Sequence, residues 1–359
     1  MIKIALFALI STGAFAQELD SNKRYLGFRH NHDGSAHQAM NKIKSFIKPV
    51  INKGRVNVYE IINPAFDIDK ASPQVKSQFF KIKQSDLVMS AESLDKSIYS
   101  DISVDKKIKK TVSKLNVSTY TKNVTSLVTI GNRSKGAEAS SYIITELQKL
   151  NLNPIETNYN IVSKIEGETA ESIVVIGHMD TVRRTVGADD NASGASGVLE
   201  LARVLKDKYQ ETKPKRSIYF VLSEDEEDGL LGAKKFVKKL KSKGELKGVR
   251  LAINMDMIAY NQNGVVDLET AKTFESLALD FARMAKTYTT LTPNLVLNPW
   301  GSDHVPFLDE GVPAILSIEN WKTHTPCWHK SCDTLDTLNF DYAVEILKMN
   351  LAMILENQN

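Results

Sequence analysis

Residues 173–194 of the 359-residue chain read IVVIGHMDTVRRTVGADDNASG. The run of β-branched residues Ile173–Ile176 predicts a strand buried on both faces, as in a parallel sheet that helices cover. His178 and Asp180 follow its carboxyl end, and Asp190 lies just before a predicted helix start. Because ligand sites in open α/β sheets lie outside the carboxyl ends of the strands, these side chains indicate a metal site. The alternative is a turn rich in Asp and Asn that only ends the strand.

The composition is that of an ordinary globular protein, with 42% hydrophobic and 25% charged residues. Residues 1–16 combine an early lysine, a short apolar run and an Ala-Phe-Ala sequence, which is typical of a secretory signal peptide. No later run approaches the roughly 18 apolar residues of a membrane span. The sequence therefore predicts a secreted or periplasmic protein without a membrane span.

Charge is unevenly distributed along the chain. Residues 20–115 carry 18 Lys and Arg against 10 Asp and Glu, whereas residues 116–359 carry 27 against 32. Such a shift indicates a domain boundary. We interpret residues 17–115 as a prosegment that docks on the acidic domain, masks its active site and is then removed, or alternatively as a small accessory domain. Residues 116–359 are the predicted catalytic domain.

Strand-like and helical patterns alternate after residue 116. This alternation predicts an α/β fold in three layers, with a mixed, mostly parallel sheet between two layers of helices. The predicted strands are 173–176, 217–222, 249–254 and 314–318, and the predicted helices are 138–150, 193–205, 230–240, 270–285 and 341–355.

Polar clusters recur where the predicted strands end. Five consecutive acids, Glu224–Asp228, follow one strand, and a bound cation would relieve their mutual repulsion, although a solvated acidic loop is the alternative. Asp256 lies between two methionines, which favours a buried position over a solvated face, and a buried Asp needs a partner. A third cluster, Gly301–His304, follows later in the chain.

The two cysteines of the chain, Cys327 and Cys332, lie five residues apart with His329 between them. In an oxidising compartment this spacing predicts a disulfide bond. The resulting small ring would rigidify His329 as a metal ligand on an otherwise mobile loop. Two histidines with several carboxylates and no free thiolate suit a pair of zinc ions.

Six motifs follow one another in order: HMD, GADDNASG, EEDGLLGA, NMDM, SDHVPF and CWHKSCDT. In this order and at these separations they resemble the secreted bacterial leucyl aminopeptidases of the co-catalytic di-zinc exopeptidase family. The resemblance covers about residues 116–359. It implies an eight-stranded mixed sheet between helices, and removal of the amino-terminal residue from peptides.

The resemblance also implies the metal ligands, residue by residue. Asp190 matches the carboxylate that bridges two zinc ions. His178 and Asp256 complete the coordination of one ion, and Glu227 and His329 complete that of the other. These five residues are the predicted ligands of two Zn²⁺ ions.

Two further carboxylates match catalytic positions. Glu226 matches the general base that takes a proton from a water or hydroxide shared by the two ions and passes it to the leaving amine. Asp180 matches the group that fixes the orientation of His178. The expected function is that of a secreted metallo-aminopeptidase. The alternatives are a glutaminyl cyclase of the same fold, a carboxypeptidase and a catalytically inactive binding module.

Several neighbours of these motifs have open roles. His324 is an alternative to His329 as the ligand, because it precedes a Thr, but His329 fits better, since cysteines flank it and Asp333 follows four residues later. Asp303 and His304 match a family motif but no ligand position, so we interpret them as groups that shape the cleft. Trp328 replaces a tyrosine that some relatives use to polarise the scissile carbonyl.

Met257 and Trp328 adjoin predicted ligands and suggest an apolar pocket for a Leu-like first side chain. The expected substrates are therefore peptides with a free amino terminus. We expect a monomer. No nucleotide-binding loop is visible, and nucleic acid is an unsuitable partner for an acidic domain.

Overall fold

The computed structural model describes most of the chain, namely residues 3–5, 18–20, 24–28, 40, 42–53, 56–72, 75, 79–82, 103–134, 137–157, 159–297 and 301–358. It divides into two compact units. The first comprises residues 1–92 with the segments 227–229 and 298–301, and the second comprises residues 93–226, 230–297 and 302–359. Among the described helices, none has the length and apolar character needed to cross a membrane.

The first unit is built from antiparallel strands. Strand β1 (Lys3–Ala5) pairs with β2 (Glu18–Asp20). A separate four-stranded sheet has the order β4-β5-β3-β6 and consists of β3 (Tyr25–Phe28), β4 (Ile47–Lys53), β5 (Val56–Ile61) and β6 (Phe79–Ile82). Apart from Lys3–Ala5, the predicted signal peptide lies outside the described residues, and it stays a prediction.

The second unit contains a mixed sheet of eight strands in the order β13-β12-β14-β11-β9-β10-β8-β7. Its strands are β7 (Ile155–Thr157), β8 (Asn160–Ile165), β9 (Ser172–His178), β10 (Ser217–Ser223), β11 (Val249–Met255), β12 (Val265–Glu269), β13 (Thr292–Val296) and β14 (Ala314–Glu319). The four central strands β14, β11, β9 and β10 run parallel to one another. Antiparallel pairs lie on both sides of this block, so the carboxyl ends of the four central strands meet at one edge.

Helices cover both faces of this sheet. They are α1 (Lys106–Val112), α2 (Val117–Ile130), α3 (Ala137–Lys149), α4 (Gly194–Lys208), α5 (Leu231–Ser242), α6 (Glu275–Tyr288), α7 (Val305–Asp309) and α8 (Phe340–Glu356). Alternate residues of β9 face opposite layers, since Ile173 and Val175 pack in the cluster that includes α4 and α8, and Val174 and Ile176 pack against α5. Burial on both faces explains the continuous β-branched run in the sequence.

The predicted three-layer fold is confirmed, and the structure adds elements that the sequence patterns did not show. Strands β7, β8, β12 and β13 and helices α1, α2 and α7 were not predicted. Two residues of α1, Ile108 and Val112, pack into the main core, although α1 precedes the expected start of the catalytic domain at residue 116. Residues 106–115 therefore belong to the main unit, while the site of proteolytic processing stays a prediction.

Candidate metal centre

Three predicted site segments lie together because they follow neighbouring parallel strands. His178 is the last residue of β9, and the acidic segment with Glu226 and Glu227 follows β10. Asp256 follows β11 directly. Since β10, β9 and β11 are adjacent and parallel, their ends deliver these side chains to the same edge of the sheet.

Two histidines of the site contact the same carboxylate. His178 Nε2 lies 3.3 Å from Asp190 Oδ1 and 3.4 Å from Asp256 Oδ1. The other oxygen of Asp190, Oδ2, lies 2.9 Å from His329 Nε2. Asp190 is thus positioned between the two histidines, as a bridging ligand would be.

The two consecutive glutamates complete two sets of ligand atoms, each spanning at most 4.8 Å. One set consists of His178, Asp190 and Glu227, and the other of His178, Glu226 and Asp256. All five side chains are buried. The geometry therefore brings the predicted ligands together, and it places Glu226 near enough to be a ligand as well as a base.

A buried loop holds Asp190 in place. The backbone N–H groups of Asp189 and Asp190 donate to the two carboxylate oxygens of Asp333, at 2.8 and 3.1 Å. The Asn191 side chain accepts from the N–H of Gly194 at 2.7 Å and donates to the carbonyl of Met255. A Cβ atom on Gly194 would lie 2.1 Å from that carbonyl, so only glycine fits where the loop crosses β11.

Asp180 links the first histidine to the proposed base. Its Oδ1 lies 3.4 Å from His178 Nδ1, the ring nitrogen that faces away from Asp190 and Asp256. The same oxygen accepts a hydrogen bond from the backbone N–H of Glu226 at 3.3 Å. One carboxylate therefore contacts both a predicted ligand and the chain segment that carries the two glutamates.

Asp256 is held by a serine that the sequence analysis did not single out. Ser302 donates from its hydroxyl to Asp256 Oδ2 at 2.7 Å, and it accepts a bond of 2.7 Å from the Asn254 side chain. This chain of bonds leaves Asp256 Oδ1 directed at His178. Ser302 belongs to the SDHVPF motif, but nothing in the motif indicates which ligand it would orient.

The interpretation of Asp303 and His304 as cleft-shaping groups is wrong. Both side chains are fully buried, with 0% exposure, so they do not line an open cleft. Asp303 accepts a hydrogen bond from the hydroxyl of Ser223, at the end of β10, and His304 Nε2 lies 3.6 Å from Glu269. Burial raises the pKa of Asp303 to about 7, although the charge of His178 opposes the shift.

His329 lies in a small ring closed by the disulfide bond between Cys327 and Cys332, whose Cα atoms are 5.2 Å apart. The backbone of His329 has a φ of 57°, in the left-handed region that non-glycine residues rarely adopt. The ring of His324 stacks on that of Trp321, with 4.1 Å between the centroids, and its Nδ1 lies 2.9 Å from the carbonyl of Trp321. The geometry thus favours His329 over His324 as the ligand.

The electrostatics of the cluster favour positive charge at its centre. Burial alone lowers the pKa of His178, but the carboxylates of Glu226 and Asp256 outweigh it and hold the pKa well above its usual value. Burial also raises the pKa of Asp333 to about 6, against the two N–H donors that stabilise its charged form. Several buried carboxylates around imidazole nitrogens form a donor set that fits a divalent cation.

Known proteins are similar to this chain in sequence or in fold. A protein of Arthroderma otae described as a probable leucine aminopeptidase is 28% identical over 280 residues, or 69% of this chain and 74% of that protein. Leucine aminopeptidase 1 of Paracoccidioides brasiliensis is 26% identical over 286 residues, or 70% of this chain and 72% of that protein. The crystal structure of the LapA aminopeptidase of Legionella pneumophila matches the fold with a TM-score of 0.67 at 19% identity, covering 94% of this chain and 98% of LapA.

The family model of peptidase family M28 matches residues 160–354, which is more than half of the chain. The matched segment contains all six motifs on which the resemblance to di-zinc exopeptidases depends. It also contains the whole cluster around Asp190. On this match, the chain belongs to peptidase family M28.

Proposed function

We propose that the protein is a zinc-dependent aminopeptidase that hydrolyses the first peptide bond of peptides with a free amino terminus. The observation that carries this proposal is the position of Asp190, whose two oxygens lie 3.3 Å from His178 Nε2 and 2.9 Å from His329 Nε2. The relatives described as leucine aminopeptidases support the same activity.

The donor set fits two zinc ions. Two imidazoles and several carboxylates converge, and both cysteines of the chain are in the disulfide bond, so no thiolate competes. We assign His178, Asp190 and Asp256 to one ion and Asp190, Glu227 and His329 to the other. Zinc bound there would supply Lewis acidity, which polarises a carbonyl and lowers the pKa of a coordinated water.

The chain's own residues supply proton transfer and orientation. We assign Glu226 as the general base that accepts the proton from the attacking water and donates it to the departing amine. Asp180 holds the backbone N–H of Glu226 and faces His178, so it aligns base and ligand together. Ser302 fixes the far oxygen of Asp256 in the same manner.

Removal of metal tests the proposal directly. We expect the purified protein to contain two zinc ions and to cleave leucyl anilide. Chelation should abolish this activity, because the proposed hydrolysis depends on the Lewis acidity of the cation. Activity should return on adding zinc. The measurements are metal analysis and anilide hydrolysis before and after chelation. A Gln-terminal peptide serves as the comparison substrate, because cyclisation of that peptide without anilide hydrolysis would favour the glutaminyl cyclase.

We base a proposed preference for Leu-like first residues on Trp328, which packs on a buried apolar cluster beside the proposed ligands. Met257 packs with Leu316 and Ile318, and Trp328 packs against this cluster. The Trp328 ring is partly exposed and its centroid lies 4.1 Å from that of His329, so the indole presents an apolar surface beside the proposed metal centre. A charged side chain would be desolvated there without a partner.

We therefore expect leucyl anilide to exceed lysyl and glutamyl anilides in kcat/KM by roughly 10-fold or more, since apolar pockets discriminate by about 1–3 kcal/mol. Trp328→Ala should reduce this ratio, because it removes part of the apolar surface. Tyr209→Ala, which changes a half-buried aromatic residue at the end of α4, is the control and should leave it unchanged. Faster turnover of either charged substrate by the unaltered protein would contradict the assigned preference.

A further inference from the structure

Arg133 is among the largest side chains that the structure buries completely, with 1% exposure. It lies in the connection between α2 and α3, outside all six motifs. Its Nε donates to the carbonyl of Met179 at 2.9 Å, and its terminal nitrogens donate to those of Val186 at 2.5 Å and Gly187 at 2.8 Å. A fourth bond of 3.2 Å reaches the carbonyl of Leu127. Three of these four acceptors belong to one loop.

That loop, residues 179–187, joins two parts of the metal centre. Met179 lies between His178 and Asp180 in the sequence. Its carbonyl group therefore adjoins both the proposed ligand His178 and Asp180, which contacts that histidine. At the other end, Gly187 precedes Asp190 by three residues and packs so closely that a Cβ atom on it would lie 2.1 Å from the Asp190 carbonyl. Arg133 thus holds the loop beside both ligands.

The residue before Arg133 holds the outer side of the same loop. The side-chain amide of Asn132 donates to Thr181 Oγ1 at 3.1 Å, to the Val182 carbonyl at 2.8 Å and to the Thr185 carbonyl at 3.0 Å. The backbone N–H of Arg133 also donates to Thr181 Oγ1, at 3.0 Å. Two consecutive residues therefore fix the loop from both sides.

We propose that Arg133, assisted by Asn132, is a positioning residue of the metal centre that sets the separation of His178 and Asp190. By holding the carbonyls at both ends of the loop, the guanidinium keeps the imidazole and the carboxylate close enough to bind one ion. This inference rests on the proposed zinc site. Groups that orient ligands change metal affinity by about 10- to 100-fold, so Arg133 should act on zinc binding and only through it on turnover.

The planar fork of arginine matters here, because lysine has a single nitrogen and cannot reach acceptors at both ends of the loop. Arg133→Lys keeps the charge and removes this geometry. We expect the variant to bind zinc about 10-fold more weakly or worse, to lose kcat at limiting zinc, and to regain much of it at saturating zinc with little change in KM. Asn132→Ala, at an exposed position, should weaken zinc binding in the same direction but less.

Arg216→Lys is the matched control. Arg216 also ties down the main chain, through the carbonyl of Asn357, and pairs with Glu171 at 2.7 Å. It lies just before β10, at the opposite end of that strand from Ser223 and the metal centre. Its replacement should lower the unfolding temperature of the metal-free protein and leave the zinc dissociation constant unchanged.

The measurements are zinc affinity by competition with a fluorescent chelator and thermal unfolding of the metal-free proteins. Zinc affinity equal to that of the unaltered protein in both Arg133→Lys and Asn132→Ala would overturn the inference and leave these residues a purely structural role. If Arg133→Lys does not fold, Asn132→Ala decides. Zinc binding by the unaltered protein without cleavage of amino-terminal residues would refute the aminopeptidase function, and the affinities would still test Arg133.

Discussion

Replacing Asp190 with alanine is expected to abolish binding of both zinc ions at ordinary zinc concentrations and to lower kcat by roughly four orders of magnitude or more. The reason is geometric: this one carboxylate lies against both His178 and His329, so its loss removes a ligand from each proposed ion. Loss of a single ligand elsewhere, as in His329→Ala, should affect mainly one ion. Metal analysis after dialysis, combined with anilide hydrolysis, measures both effects.

The control for this experiment is Asp207→Asn. Asp207 lies in the last turn of α4, the helix that begins shortly after Asp190. It forms a surface ion pair with Lys114 at 2.6 Å. Surface pairs of this kind contribute little to stability, so the variant should keep two zinc ions and full activity. If Asp190→Ala retains two tightly bound zinc ions, the bridging role assigned to Asp190 is wrong, and with it the mechanism proposed above.

Glu226→Gln is expected to retain both zinc ions and to lose about 10²- to 10⁴-fold in kcat, the usual contribution of a general base. Glutamine keeps the shape of the side chain but cannot accept the proton. KM should change little, because the residue acts on the transition state and not on substrate binding. Single-substrate kinetics with parallel metal analysis separate these effects.

This experiment is informative because the structure allows two assignments. Glu226 lies in a set of potential ligand atoms with His178 and Asp256, and Glu227 lies in one with His178 and Asp190. Loss of one zinc from Glu226→Gln, together with retention of both in Glu227→Gln, would show that the two glutamates have exchanged roles. Glu224→Gln, a half-buried acid of the same segment, is the control and should behave as the unaltered protein.

The side chains that gather around Asp190 were predicted from the sequence, as was Asp180 beside His178, but the other residues that hold this cluster were not. His178 and Asp256 follow buried apolar strands, and the position of a strand end is a local property of the sequence. The bond from the Asp190 N–H to Asp333 spans 143 residues, and that from Ser302 to Asp256 spans 46. Such contacts depend on the packing of segments that are far apart in the chain, and local sequence patterns do not predict that packing. No sequence pattern indicated the role proposed for Arg133, because a single arginine between two helices resembles an ordinary surface residue.

The missed strands have a similar explanation. β7 has only three residues and is largely exposed, so it lacks the apolar pattern of a strand core. β12 and β13 lie at the opposite edge of the sheet from β7. There β12 is antiparallel to β14, and the order of these strands depends on long-range pairing. The signal peptide, the prosegment and the export of the protein stay predictions from composition and charge. The eight-stranded sheet implied by the resemblance is confirmed.

The shared carboxylate of Asp190 has a thermodynamic consequence for the proposed enzyme. An ion held by His178 and Asp190 would restrict the orientation of the Asp190 carboxylate, and its charge would repel a second ion held by Asp190 and His329. Whatever the balance of these two effects, linkage requires reciprocity: the first ion changes the affinity for the second by the same factor as the second does for the first. Where this factor differs from one, the two ions would bind cooperatively or anticooperatively, and a limiting supply of zinc would change the activity of the proposed enzyme through this coupling.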